Sequence, residues 1–342
     1  MIVLLILLSL AFTSSDAPAQ SPYYQGKTVT VISTSSTGSA YDIYARLVAQ
    51  FMGKHIPGNP SFIAQNMPGA GSLIGTNYLY GLAKGDGTVI GGLQPSMYFN
   101  QLYKQPEAKY DWAKFNWLGS SDRSESLLYM RADLPYKTMA DVRKAKEPPK
   151  CGSTGPGTSG TYMPKLMEEL LGTKFTIVSG YKGGNDVFLA MERGEVQGRC
   201  GAFYSTIVAT RPEWIQQKKF TIPFQIALER DPEFPNVPAL GEVAKDTRTR
   251  QVLELIAAHM AMDRPIVAPP GVPPERIAIL RRAFQAAVSD PRFIAEAEKQ
   301  KLDIDAVQGE GVTRLLSNAY AMPPDVVRAA REAINLTGST PN

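Results

Sequence analysis

The chain has 342 residues, 44% hydrophobic and 20% charged. That length exceeds one compact core and suits two α/β lobes, and the composition excludes a disordered or multi-span membrane protein. The formal charge of +4 suits an anionic ligand, and no Lys/Arg run or basic–aromatic stripe is present to bind nucleic acid.

Residues 1–19 (MIVLLILLSLAFTSSDAPA) read as an export signal, with an apolar run followed by small and polar residues and the A-x-A pattern at Ala17-Pro18-Ala19. The apolar run is far short of the roughly 20 residues that a membrane-spanning helix needs. Its removal would take away one charged residue, Asp16, and place the remainder in the periplasm. From there the pattern is strand 27–34, polar turn 35–39 and helix 40–52. After Pro57, Gly58 and Pro60 come strand 61–65, a Gly-rich turn over 66–72 and helix 73–83, then an Asp86-Gly87 turn and strand 88–93. This alternation predicts a parallel sheet with helices on both faces.

Strand 127–130 and helix 139–146 follow, and beyond Pro148-Pro149 the pattern restarts. Strand 150–153, Gly-rich loop 154–160, helix 161–171, strand 174–179, turn 180–184, helix 185–193 and strand 196–202 repeat the first architecture. A late strand, 220–228, precedes helices over 248–262, 274–289, 292–300 and 311–321 and a last one from Pro324. The Pro-rich stretch 265–274 reads as a strand and a rigid connection. So much helix after the second unit predicts a return to the first. The expected organisation is two doubly wound lobes, 20–122 with 229–342 and 123–228, with a hinge at the two crossings and a ligand cleft between the lobes.

Three turns join a strand to a helix start: Ser35–Ala40, Asn66–Gly75 and Thr154–Gly160. Such turns aim unpaired N–H groups and the positive helix end at one point, so a carboxylate could be held there without a cationic side chain. Ser36, Thr37, Ser39, Ser153, Thr154, Thr158 and Ser159 add hydroxyl donors. The plainer alternative is that these residues only cap helices and permit tight turns. Gly155–Gly160 fits G-x-G-x-x-G, but the next strand ends Ile177-Val178-Ser179-Gly180 with no carboxylate to hold a ribose. G-x-S-x-G is absent, and His55 and His259 have neither a nucleophile loop nor further ligands at zinc spacing, so no cofactor or metal is expected. Cys151 and Cys200 fall on strands that neighbour one another in the common doubly wound order. A disulfide in an oxidising compartment and two buried thiols both remain open.

At these loops the sequence resembles the Bug receptors, the extracytoplasmic solute-binding components of tripartite tricarboxylate transporters. The resemblance is carried by Gly38-Ser39-Ala40-Tyr41-Asp42-Ile43-Tyr44-Ala45-Arg46, by Gln65-Asn66-Met67-Pro68-Gly69-Ala70-Gly71 with Gly75, and by Asp86-Gly87-Thr88. Further on it is carried by Gly152-Ser153-Thr154-Gly155-Pro156-Gly157-Thr158, Tyr181-Lys182-Gly183-Gly184, Asn236-Val237-Pro238 with Glu242, and Pro269-Pro270-Gly271-Val272-Pro273. Ser39 stands where the family places Gly, and Gln65 where it places Glu. The resemblance implies a fold like that of type II periplasmic binding proteins, closing on a carboxylated ligand. It also implies binding without catalysis, and the membrane subunits of a transporter as partners of a monomeric receptor. An exported hydrolase-like enzyme on the same scaffold is the alternative. The expected clamp is Ser36, Thr37, Gly38, Ser39 and Ala40 in lobe one and Thr154, Gly155, Gly157, Thr158 and Ser159 in lobe two. Ser39, Tyr41, Ser96, Tyr181 and Asp186 are the expected selectors of the remainder of the ligand.

Overall fold

The computed structural model describes residues 22–334 except 103, 124, 125 and 156, so the expected export signal lies outside the described residues. Eleven strands are described: β1 (Thr28–Ser33), β2 (Ser61–Asn66), β3 (Val89–Gly92), β4 (Asn116–Ser120), β5 (Ser126–Arg131), β6 (Lys150–Ser153), β7 (Thr176–Ser179), β8 (Gly198–Phe203), β9 (Phe220–Ile226), β10 (Pro265–Ala268) and β11 (Val307–Gln308). The helices are α1 (Ala40–Met52), α2 (Leu73–Gly81), α3 (Met97–Leu102), α4 (Met139–Lys144), α5 (Ser159–Leu171), α6 (Gly184–Glu192), α7 (Tyr204–Thr210), α8 (Pro212–Gln216), α9 (Thr247–Ala257), α10 (Pro274–Val288), α11 (Pro291–Lys299), α12 (Gly309–Tyr320) and α13 (Pro324–Ile334).

The strands form two sheets, ordered β11-β4-β10-β3-β1-β2 and β7-β6-β8-β5-β9. The chain passes from the first to the second between β4 and β5 and returns between β9 and β10. The sheets are mixed, which corrects the parallel expectation. β1 runs parallel to β2 and β3, and β6 to β7 and β8. By contrast, β10 is antiparallel to β3 and β4, and β5 to β8 and β9. β11 is antiparallel to β4 as well, and the other two reversed strands, β5 and β10, are the first ones after each crossing: a chain arriving from the other lobe enters the sheet from the opposite end.

Local chemistry explains the elements that frame the cleft. In α1 the Ser39 hydroxyl accepts from the Asp42 N–H, and Asp42 lies in the first turn, where a carboxylate complements the helix dipole. Its inner face, Tyr44, Ala45, Val48 and Met52, is buried against β1 and α10. α5 carries a buried stripe of Tyr162, Met163, Leu166 and Met167. This stripe joins one apolar cluster with Ile32, Trp117, Leu128 and Val326, spanning both sheets. The last helix does not stay with the first sheet: α13 packs on α9 and on α5. Among the described residues no helix is long and apolar enough to cross a membrane.

Candidate functional site

The ends of β1, β3, β6 and β8 face one another across a narrow cleft, the edge at which open α/β sheets take ligands. Ser35, Ser39, Ala40, Tyr41, Gly71, Ser72 and Gln94 line it from the first sheet, and Thr154, Lys182, Gly183, Gly184, Asn185, Arg199 and Thr206 from the second. Its free volume is about 20 Å³, room for about one water. A larger groove of about 740 Å³ opens beside the two crossings. Asp122, Glu229, Asp231, Glu233, Asp303 and Asp305 line it beside Arg123 and Arg250, and the excess of acidic groups disfavours an anion.

Asp42 organises the first loop. Its carboxylate accepts from the Gly38 N–H at 2.8 Å, from Arg46 Nε at 2.9 Å and from Asn66 Nδ2 at 2.7 Å. The Ser39 N–H donates to the Ser36 carbonyl, so of the N–H groups over residues 37–40 those of Gly38 and Ser39 are already engaged. Among the described residues, the N–H groups of Thr37 and Ala40 make no hydrogen bond. The Thr37 hydroxyl turns to Asn66 Oδ1 at 3.1 Å, and Gly38 reaches its left-handed φ of 74° at no steric cost.

Across the cleft, the Gly38 carbonyl accepts from Asn185 Nδ2 at 2.6 Å, so the first turns of α1 and α6 meet directly. Gly183 approaches Ser36 Oγ so closely that no Cβ would fit, and Gly157 does the same to the Asn100 side chain. α6 has no side-chain cap, and its start points into the cleft beside Thr154.

The loop over residues 152–161 is largely self-satisfied. Ser153 Oγ lies 3.1 Å from Thr158 Oγ1 and 2.7 Å from Thr161 Oγ1, and both threonines donate to the Gly155 carbonyl at 2.8 Å. Of the expected lobe-two clamp, Thr154 lines the cleft. Thr158 is buried in its own loop, and Ser159 starts α5 against Gly201. Tyr181 packs in the second lobe's small cluster beside Gly152, and Asp186 sits in the first turn of α6. Ser96 is buried ahead of α3, and none of these three lines the cleft. Tyr41 does line it, with the Arg264 guanidinium 4.8 Å from its ring centre.

Two arginines shape the electrostatics, Arg264 buried and Arg199 half-buried. Arg264 is ion-paired with Asp263, donates to Ser205 Oγ at 2.8 Å and Thr206 Oγ1 at 3.2 Å, and packs over Tyr44 as well. Burial, the largest effect, disfavours its charge, but Asp263 together with Tyr41, Tyr44 and Asp122 outweighs that and the pKa is raised. Arg199 lies with its guanidinium 4.7 Å from the Phe188 ring centre, and burial pulls its pKa down to about 10. Neither Arg199 nor Gln94, Lys182 and Asn185 was singled out from the sequence as a site residue. Two signals were present: a charge inside the otherwise small and apolar strand GRCGAF, and a Gly-Gly pair opening a helix. Cys151 Sγ and Cys200 Sγ, buried in β6 and β8, lie 2.8 Å apart as thiols.

The family described as TctC, tripartite tricarboxylate transporter family receptor, matches residues 44–330. A curated relative from Agrobacterium vitis, named a UPF0065 protein in the TAR-I ttuE-ttuC' intergenic region, is 27% identical over 79% of this chain and 74% of its own length. Among solved structures, the periplasmic binding protein BugD superposes with a TM-score of 0.71 at 18% identity, over 91% of this chain and 98% of its own. MatC from Rhodopseudomonas palustris with bound malate gives 0.69 at 19%, over 90% and 99%. An R. palustris protein with adipate gives 0.69 at 18%, over 93% and 99%.

Proposed function

The chain belongs to the tripartite tricarboxylate transporter receptor family, and from that premise we propose that it captures a small carboxylate between its lobes and delivers it to the membrane subunits of such a transporter. It is a solute-binding receptor, not an enzyme, as the family is, and no comparison points to a hydrolase. The observation that carries the ligand class is the meeting of two helix starts, α1 and α6, in a cleft that also holds Arg199 and Lys182. Unpaired N–H groups, the positive helix ends and two cations all favour an anion there. The malate and adipate bound by the two R. palustris proteins of the same fold support a carboxylate.

In this reading residues 20–122 and 229–342 form one lobe and 123–228 the other. The protein works in the periplasm as a monomer, after loss of residues 1–19. The first loop holds the carboxylate through the free N–H groups of Thr37 and Ala40, with Ser36, Gly38 and Ser39 shaping the turn. Thr154 closes on it from lobe two, its loop kept rigid by Gly155, Gly157, Thr158 and Ser159. Tyr41 touches the remainder of the ligand, and Ser96, Tyr181 and Asp186 act from behind the cleft wall.

The test is a thermal-shift and calorimetric screen of mono-, di- and aromatic carboxylates, followed by mass analysis of the recovered ligand. At least one acid should raise the melting temperature and be returned unchanged, while its fully esterified form should not bind. Equal binding of acid and ester, or chemical conversion of the acid, would overturn the reading.

A further inference from the structure

The charges lining the cleft do not balance, and the excess sits on one side chain. Arg264 has its own carboxylate in Asp263 and two hydroxyls besides. Arg199 has none: among the described residues no carboxylate lies within ion-pairing distance, no hydrogen bond is made, and Nη1 is sealed from solvent. Its charged neighbour is Arg264, which repels it. The guanidinium is nevertheless held in place. Its plane is stacked against Phe188, and its terminal nitrogens lie so close to Gly184 that a Cβ there would stand 2.7 and 2.8 Å from them. Arg199 also lines the cleft, on the lobe-two side, beside the start of α6. A positioned, partly desolvated cation without a counter-ion is costly in a fold, and an anion entering beside it removes that cost. A guanidinium is also the side chain best shaped to take a carboxylate through two parallel N–H bonds.

We propose that Arg199 is the ion-pair partner of a second acidic group on the ligand, the first being held at the start of α1, so that this receptor selects dianions over monoanions of equal length. The inference rests on the carboxylate reading above and goes beyond it in assigning a selecting side chain that neither the loops nor the helix starts identify. The lowered pKa is consistent with a charge awaiting its partner, since burial, its largest cause, is not offset by any neighbouring carboxylate.

The experiment is calorimetry on the full-length mature protein with succinate, malate, glutarate and adipate, each beside the monoacid of equal chain length and its own monomethyl ester. Wild type should bind the best diacid at least tenfold more tightly than either monoanion. Arg199→Gln should lower diacid affinity by at least roughly 30-fold and lower monoacid affinity as well, by a factor at least roughly tenfold smaller, so that the preference for the diacid is lost. Its unliganded melting temperature should be equal to or above that of wild type, because an unpaired charge has gone. Arg199→Lys should keep most of the preference. Equal wild-type affinity for diacid and monomethyl ester would overturn the assignment without any variant, should Arg199→Gln fail to fold. So would an Arg199→Gln variant that weakens both classes alike or neither. If no acid of either class binds wild type, the carboxylate reading falls and takes this one with it. If acids bind without regard to the second charge, only the role of Arg199 falls.

Discussion

Asp122 sits where the chain first crosses between the sheets, 1% exposed, with both carboxylate oxygens buried and no side-chain hydrogen-bond partner among the described residues. Burial pushes its pKa up to about 7, Arg264 opposing and Asp303 adding to the rise. A carboxyl held above its unfolded value of about 3.9 makes the fold richer in protons than the unfolded chain. The stability tied to it is therefore full below about pH 4 and lost as the pH rises to about 7. Asp122→Asn should remove that loss and gain on the order of 3 kcal/mol over wild type at pH 8, with little difference at pH 4. Denaturant melts of the two across pH 4–8 measure the difference, and parallel curves would refute the assignment. At the same scale, Cys151 and Cys200 should be bridged in protein recovered from an oxidising compartment. Closing a loop of about 50 residues contributes on the order of 4 kcal/mol on the chain-entropy account. Thiol titration of the unfolded, unreduced chain should find no free thiol, and two would settle the matter for reduced cysteines.

The helix starts that meet across the cleft make closure sensitive to a single methyl. Gly183 has an extended backbone (φ −164°) that any residue can adopt, so Gly183→Ala brings no local strain. Its Cβ would instead collide with Ser36 Oγ on the opposite lobe. The expected result is an unchanged melting temperature without ligand and a roughly tenfold or greater loss of affinity, as overpacking of a closed contact costs about 1–3 kcal/mol. Undiminished affinity in calorimetry would mean that the lobes need not approach so closely. The glycines were legible in the sequence because strand, Gly-rich turn and helix start recur in order. The aim of each hydroxyl was not. Ser153, Thr158 and Thr161 are consumed within their own loop, and a residue type does not reveal whether its donor is spent. Arg199 was hidden for a related reason: which side chains of β8 face the cleft depends on its pairing with β5, whose register shifts by a bulge at Leu127/Leu128.

At the scale of the molecule, the repeated strand–helix pattern was enough to foresee two units with the late helices returning. The reversed strands were beyond that reading, because the direction of β5 and β10 follows from where the chain re-enters a sheet and leaves no mark on their composition. The destination of the last helix was equally unmarked. α13 carries an apolar stripe of Val326, Ala330 and Ile334 that would serve either lobe, and it packs on both α9 and α5. This contact bears on how the protein acquires its structure. Tyr162, Met163, Leu166 and Met167 on α5 belong to the same apolar cluster as that stripe, which lies about 160 to 170 residues downstream. The middle segment therefore cannot complete its core while the chain is still emerging. Contacts so distant in sequence are slow to form, because the loop must close before they contribute. Folding of the two halves is thereby coupled to arrival of the final turns, which leaves the chain pliable for as long as its end is withheld.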